Sequence, residues 1–246
     1  MPYIKDAFFQ LILNKNNFLI TEISEPPAYE VMEKIWGYRD LEKTPLNLQK
    51  IRPSRDFSLS WKGEKKNLIY HLFFGNGSGT DTEIDKGKAF YAAVGYSLSH
   101  NLFFQIYADY DYKEKDKYSY IWQIFMAHKR KSFWFGAHYS HSVFKNDNRR
   151  YDNDIASIFS VIKLNEKSDL ISRFEAMLDP SPKDSSVAYV PFNSSASFNM
   201  VIAWISYIPN KSIKLIPNIK YVFYDSETKE KINSDMYINL TFVYLF

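Results

Sequence analysis

Residues Leu102–Tyr112 read Leu-Phe-Phe-Gln-Ile-Tyr-Ala-Asp-Tyr-Asp-Tyr. Leu102, Phe104, Ile106, Ala108, Tyr110 and Tyr112 occupy every second position, while Asn101, Gln105, Asp109 and Asp111 belong to the other parity. Successive side chains of a strand point to opposite faces, so this stretch has one apolar and one polar face. It is also long. Its eleven residues exceed the roughly 5–6 typical of strands in soluble domains and match the ~9–11 that a tilted strand needs to cross a bilayer.

The same alternation extends in both directions. Upstream it marks Phe57–Lys62, Leu68–Phe74 and Phe90–Leu98. Downstream it marks Tyr118–Met126, Phe133–Val143, Leu170–Leu178, Phe198–Ile208, Ile213–Phe223 and Met236–Phe246, with Ile155–Leu164 alternating less cleanly. A hairpin, Tyr3–Leu13 and Asn17–Ile23 turning at Asn14–Asn16, precedes them and brings the expected strands to thirteen. No long helical period competes. Aromatic residues gather at segment ends, as at Tyr110/Tyr112, Tyr118/Tyr120, Phe133/Phe135 and Tyr221/Phe223.

The connections form two classes. Short turns at Gly63–Lys65, Ser99–His100, Lys129–Lys131, Asn165–Lys167 and Pro209–Lys211 alternate with longer, more polar loops at Asn76–Gly87, Lys113–Asp116, Lys145–Asn153, Asp179–Ser195 and Asp225–Ser234. Outer-membrane barrels show this asymmetry, with short periplasmic turns, long extracellular loops and aromatic girdles at both interfaces. The expected fold is therefore all-β: one antiparallel up-and-down transmembrane β-barrel spanning 1–246, set in outer-membrane lipid of a Gram-negative-type bacterium. Alternation by itself also fits a soluble or surface-associated β-protein acting as a binding module. Its stacked sheets would then bury Tyr110, Trp122 and Phe242.

Composition narrows the function classes. No stretch approaches the ~18 unbroken apolar residues of a membrane helix. A net charge of +3, from 31 Lys+Arg against 28 Asp+Glu, is too small to argue for nucleic-acid binding. The absence of Cys removes disulfides, thiolate metal sites and cysteine nucleophiles together. The opening Met-Pro-Tyr-Ile-Lys-Asp-Ala lacks the basic-then-apolar pattern of an export signal. Bacterial single-chain barrels have even strand numbers, so thirteen strands lead us to expect that N-terminal strands and the export signal lie outside this chain.

Residues 24–53 abandon alternation on the long-loop side. Pro26-Pro27 ends the preceding strand, and Ala28–Trp36 has the composition of a short helix. Two readings stand. The loop folds into the lumen and presents Arg39, Lys43, Arg52 and Arg55 to passing solute, or it caps the mouth with those cations paired to Glu30, Glu33, Asp40, Glu42 and Asp56. Arg173 and Glu175 are further pore candidates, being the polar face of Leu170–Leu178.

Glu33-Lys-Ile-Trp-Gly-Tyr-Arg-Asp-Leu-Glu-Lys-Thr44, followed by Pro53-Ser-Arg-Asp56, resembles the central region of the phosphate-selective porin family, the O and P type of outer-membrane porin. Leu215-Ile-Pro217-Asn218 and the terminal strand closing on Phe246 resemble it too. The resemblance runs from about Ala7 to Phe246 as a pattern of motifs. It implies a barrel of about sixteen strands, a homotrimer, and passage of small anionic solutes along a basic lumen without enzymatic activity or cofactor. The anion-selective members carry a dense Lys/Arg ladder, whereas the lumen-facing candidates here are mixed: Asp109, Asp111, Arg173, Glu175, Lys214 and Lys220. Leu240, Phe242, Tyr244 and Phe246 form the terminal pattern that barrel-assembly machinery reads.

Other chemistry is weak. His138 and His141 are three apart on a strand and face opposite sides, so they cannot share a metal. Ser140 and Ser142 are equally misplaced for a lipase-like pair. Gly75-Asn-Gly77-Ser-Gly79 lacks the Lys and helix of a phosphate cradle. No catalytic or metal-binding residue is expected.

Overall fold

In the computed structural model, the described residues are 7–79, 86–180, 196–225 and 232–244. Thirteen strands are described, in chain order: β1 (Ala7–Asn14), β2 (Asn17–Ser24), β3 (Asp56–Lys65), β4 (Leu68–Gly75), β5 (Lys88–Ser97), β6 (Leu102–Glu114), β7 (Lys117–Lys129), β8 (Phe133–Asn146), β9 (Arg149–Asn165), β10 (Ser168–Met177), β11 (Ser197–Asn210), β12 (Ile213–Asp225) and β13 (Asp235–Tyr244). Each pairs antiparallel with its chain neighbours, giving one up-and-down sheet with β1 and β13 at its ends. Thirteen strands make these two ends run in the same direction. Tyr3–Asp6 of the expected first strand lie outside the described residues.

The sheet has one bare apolar face and one covered face. Tyr110, Trp122 and Phe242 are 46%, 38% and 60% exposed on the bare face. No second sheet covers them, so the stacked-sheet alternative fails among the described residues. On the other face Tyr91, Tyr107, Phe125, Phe159 and Trp204 are buried alongside Asp109, Gln123, His138 and Lys220. The alternating positions thus sort as the sequence period requires, with the larger apolar surface turned outward.

The residues that cover this inner face come from one segment. Its Glu30 reaches Lys62 on β3 and its Glu42 reaches Lys220 on β12. The same segment meets β7 where Gln123 donates to Ala28 O, and β9 and β11 where Trp36 packs on Phe159 and Trp204. The sheet thus curls around the segment, forming a barrel wall.

One expectation about the connections is corrected. The β6–β7 and β8–β9 links, expected as longer loops at Lys113–Asp116 and Lys145–Asn153, are hairpins with two residues between the strands. Asp116 (φ 61) and Asp147 (φ 54) take the left-handed conformation these tight turns need. Apart from the turn at Asp147-Asn148, the polar run Lys145–Asn153 is strand that continues beyond the apolar band, so polarity there marks height along the strand instead of a loop. The other four links at that end are long, and every link at the opposite end is short.

Gly136 permits a close approach on the inner face. A Cβ there would lie 2.5 Å from Phe159 ring atoms and 3.0 Å from Phe125. Its absence lets these two rings stack at 6.4 Å.

Candidate functional site

The segment between β2 and β3 is built from short, sharply terminated pieces. Pro26-Pro27 cannot donate to a ladder and ends β2. Helix α1 (Glu30–Trp36) stops at Gly37, whose φ of 74° only glycine adopts readily, with its N–H bonded to Glu33 O at 2.9 Å. Helix α2 (Pro45–Leu48) starts on Pro45, which supplies the required φ where no intrahelical donor is needed. Such pieces are too short to be stable alone, so packing must hold them.

Trp36 is the centre of that packing. Its ring lies 4.7 Å from Phe159 on β9 and 5.8 Å from Trp204 on β11, both edge-on. Arg173 of β10 sits over the ring at 5.5 Å, and the indole N–H donates to Glu42 O at 2.9 Å. Ala28, Tyr29, Met32, Leu46, Leu48 and Ile51 are buried around it.

Polar anchors surround this apolar centre. Arg52 Nε donates to Asp109 Oδ2 at 2.9 Å, a second guanidinium nitrogen meets the other carboxylate oxygen, and Nη1 donates to Ser119 Oγ at 2.9 Å. Tyr107 also donates to Asp109, and Tyr29 Oη donates to Arg52 O. Burial disfavours the Arg52 charge, but the adjoining Asp109 outweighs it and holds the guanidinium protonated. On the far wall Lys220 Nζ donates to Glu42 Oε2 at 2.5 Å, Arg173 Nη1 donates to Lys43 O at 2.5 Å, and Tyr38 donates to Asp169. At the near wall Glu30 Oε2 lies 3.4 Å from Lys62 Nζ and 3.1 Å from His71 Nδ1. Burial pulls the Glu30 pKa upward, yet the His71 hydrogen bond and the Lys62 charge hold it at about 2.

Two cavities flank the segment. The larger, about 1030 Å³, takes Arg39, Lys43, Lys50, Arg52 and Arg55 from the segment and Lys113, Lys117 and Lys145 from β6–β8; among the described residues, Asp111 is the one carboxylate in its lining. The second, about 550 Å³, lies between the segment and β12–β13, where Lys220, Asn218 and Tyr237 face it. Arg39 and Lys43 line both. A third, about 290 Å³ and mostly apolar, sits between α1 and β2–β6.

Among the described residues, at least six of the eight cations around the larger cavity have a carboxylate close by. These are Arg39–Glu33 at 2.5 Å, Lys117–Glu114 at 2.5 Å, Lys113–Asp111 at 3.5 Å, Lys145–Asp116 at 3.5 Å, Arg55–Glu25 at 4.0 Å, and Arg52–Asp109. Burial, then Arg39 and Lys50, push the Lys43 pKa down.

The candidate residues therefore separate. Arg39, Lys43, Arg52 and Arg55 are brought to one cavity wall, with Arg52 also spent as an anchor. Arg173 and Glu175 face inward but pair with each other beneath Lys43, and neither lines the two flanking cavities. Leu240, Phe242 and Tyr244 project from the bare face of β13, and Phe246 lies outside the described residues. His138 is buried on the inner face with Nε2 3.2 Å from Gln123, while His141 faces outward against Asp154 at 2.8 Å. Among the described residues, no three His, Asp or Glu side chains converge as a metal site would require.

Sequence reasoning named Glu30 and Glu42 as ion-pair carboxylates but missed their wall partners Lys62, His71 and Lys220, along with Trp36 as the packing centre and the cavity roles of Lys50, Lys113, Lys117 and Lys145. Strand parity placed Asp109 and Lys220 on the inner face, but not against particular partners. Nothing in the irregular segment gives an equivalent signal.

No family model matches the sequence, and no curated protein matches it either. Among solved structures, the chain is similar to one described as outer-membrane expressed OmpT of Vibrio cholerae. The TM-score is 0.72 at 10% identity, covering 99% of this chain and 81% of that one. At that identity the likeness concerns the fold: the chain has a porin-like β-barrel fold.

Proposed function

We propose that this chain forms a water-filled channel in the outer membrane, that residues 24–53 lie in its lumen and narrow it, and that small anionic solutes pass through. The supporting observation is that the two cavities on either side of the segment share Arg39 and Lys43. A solute moving from the larger cavity to the smaller passes those two side chains. Selectivity then arises from fixed charge at a constriction, as in other pores built from charged rings. The bare apolar face is the surface that hydrocarbon would cover.

The lining is basic but largely balanced by carboxylates, which favours a weak preference for anions over tight binding of one anion. Phosphate-specific recognition would need cations free to surround the ion, and at least six of the eight described here have acidic neighbours.

Single-channel recording in planar bilayers with a KCl gradient tests the reading. The expected result is a conductance whose reversal potential shows anion preference, inverted by Arg39→Glu together with Lys43→Glu. Complete absence of conductance from folded protein overturns the channel reading. An unchanged reversal potential in the double variant overturns the assignment of the constriction.

A further inference from the structure

The smallest cavity has no part in the proposed constriction. Among the described residues it shares no lining side chain with the other two. Its Gly63, Glu64, Ile69 and Tyr70 border the short β3–β4 turn, whereas Lys113, Lys117 and Lys145 mark the larger cavity at the other end of the strands.

Strand register explains why a recess forms here. Ile69 of β4 pairs with Gly95 of β5, which pairs with Gln105 of β6; in the next inward-facing row His71 pairs with Ala93, which pairs with Tyr107. Between larger side chains, β5 therefore offers a bare Cα and a single methyl. A Cβ at Gly95 would meet the Phe103 ring at 2.5 Å and Ile69 at 2.9 Å, so the floor is kept bare. Helix α1 roofs it with Val31 and is tied down at the rim, where Glu30 reaches Lys62 and His71. Charge pairing at the rim holds the roof without filling the space beneath.

The lining sets the chemistry of an occupant. A volume of about 290 Å³ is at the lower end of the roughly 300–1,000 Å³ of ligand pockets, which suits a single ring. Glu30 and Glu64 balance Lys34 and Lys62 on a mostly apolar surface, so a charged ligand would lose hydration for no net attraction. Gln105 is 2% exposed on this wall, and its Oε1 has no hydrogen-bond partner among the described residues. A buried carbonyl oxygen is costly to leave unpaired, so a donor entering the recess is favoured.

We propose that this recess binds a small neutral aromatic alcohol, its ring on Ala93 and Gly95 beneath Val31 and its hydroxyl donating to Gln105 Oε1. The site goes beyond the channel reading and does not depend on it. A hydroxyl supplies the missing donor without bringing a charge. A carboxylate would set a second acceptor against Oε1, and an ammonium would be desolvated on a lining whose acidic and basic side chains cancel. A flat ring fits between a floor without side chains and the helix above it.

The test uses the full chain, refolded in detergent micelles and labelled with nitrogen-15. It is titrated at pH 7 with para-cresol, uncharged there because phenols ionise at about 10, and with para-xylene, which carries a methyl in place of the hydroxyl. Amide shifts of Val31, Ala93 and Gly95 should saturate with para-cresol, and Ala93→Leu, which fills the floor, should abolish them. Gln105→Leu should lower the affinity ratio of cresol over xylene about fivefold, the worth of one net hydrogen bond. Comparing that ratio between proteins cancels the unequal partition of the probes into micelles. An unchanged ratio overturns the Gln105 assignment. Shifts that fail to saturate, or that persist in Ala93→Leu, overturn the site, and equal saturation by cyclohexanol overturns the aromatic class. If Ala93→Leu does not fold, the ratio in Gln105→Leu decides, since Leu keeps the bulk of that side chain. The readout needs no current, so protein that binds para-cresol but never conducts refutes the channel reading and leaves this site standing.

Discussion

Trp36→Ala tests whether the inner segment is held to the wall chiefly by one aromatic contact. The ring is 1% exposed and meets Phe159, Trp204 and Tyr38 edge-on at 4.7, 5.8 and 6.0 Å. Replacing a buried Trp by Ala costs about 3–5 kcal/mol, a figure that includes these ring contacts and the cavity left behind. Trp36 belongs to no strand, so the backbone ladder loses nothing and the cost falls on docking of the segment. At 1.4 kcal/mol per factor of ten, ~4 kcal/mol raises the undocked population about a thousandfold. Docked, the basic sites Lys34, Arg39, Lys43, Lys50 and Arg52 lie within a packed segment; undocked, they are open to trypsin. The variant should be cut there far faster than wild type while its far-ultraviolet β signal and its melting behaviour stay intact, and its channels should show larger conductance events. Equal cleavage rates and conductance in both proteins would refute the reasoning. So would loss of the whole barrel, which would mean that segment and wall form one cooperative unit.

Arg52→Leu leaves Asp109 as an uncompensated buried charge and should cost about 3–5 kcal/mol in denaturant unfolding. The double variant Arg52→Leu/Asp109→Leu should recover much of it; no recovery would show that the pair is not coupled. Gly136→Ala drives a Cβ against the Phe159 ring at 2.5 Å, and the overpacking should lower stability by about 1–3 kcal/mol, visible as a reduced Tm. Glu30 has a folded-state pKa of about 2, below its unfolded value. Its contribution to docking is therefore complete above the ordinary carboxylate range and disappears as pH falls through that range toward 2. Hydrogen exchange of α1 amides should accelerate over that window in the wild type, and an identical profile in Glu30→Gln would contradict the Glu30–His71–Lys62 assignment.

Alternation in Leu102–Tyr112 was enough to assign β6, because a period of two has one structural meaning when it is sustained beyond the length of a soluble strand. The same rule read Asp109, Arg173 and Lys220 as inward-facing, and each is. It failed at Lys145–Asn153, where strands rise past the apolar band and alternation gives way to polarity on both faces. The two-residue turn at Asp147-Asn148 was therefore read as part of a loop. The inner segment was harder still. Its helices are one or two turns long, and a pattern that short cannot show which wall each residue will meet.

The sequence by itself determined that the chain forms long antiparallel strands with one apolar face, and that residues 24–53 depart from them, because side-chain direction along a strand follows from backbone geometry alone. Only the tertiary structure decided that Trp36 lodges between β9 and β11, that Arg52 is tied to Asp109, and that Arg39 and Lys43 stand between two cavities. Those pairings join residues far apart in the chain, and they form only once the sheet has curled enough to bring β3 and β12 within reach of the same short segment.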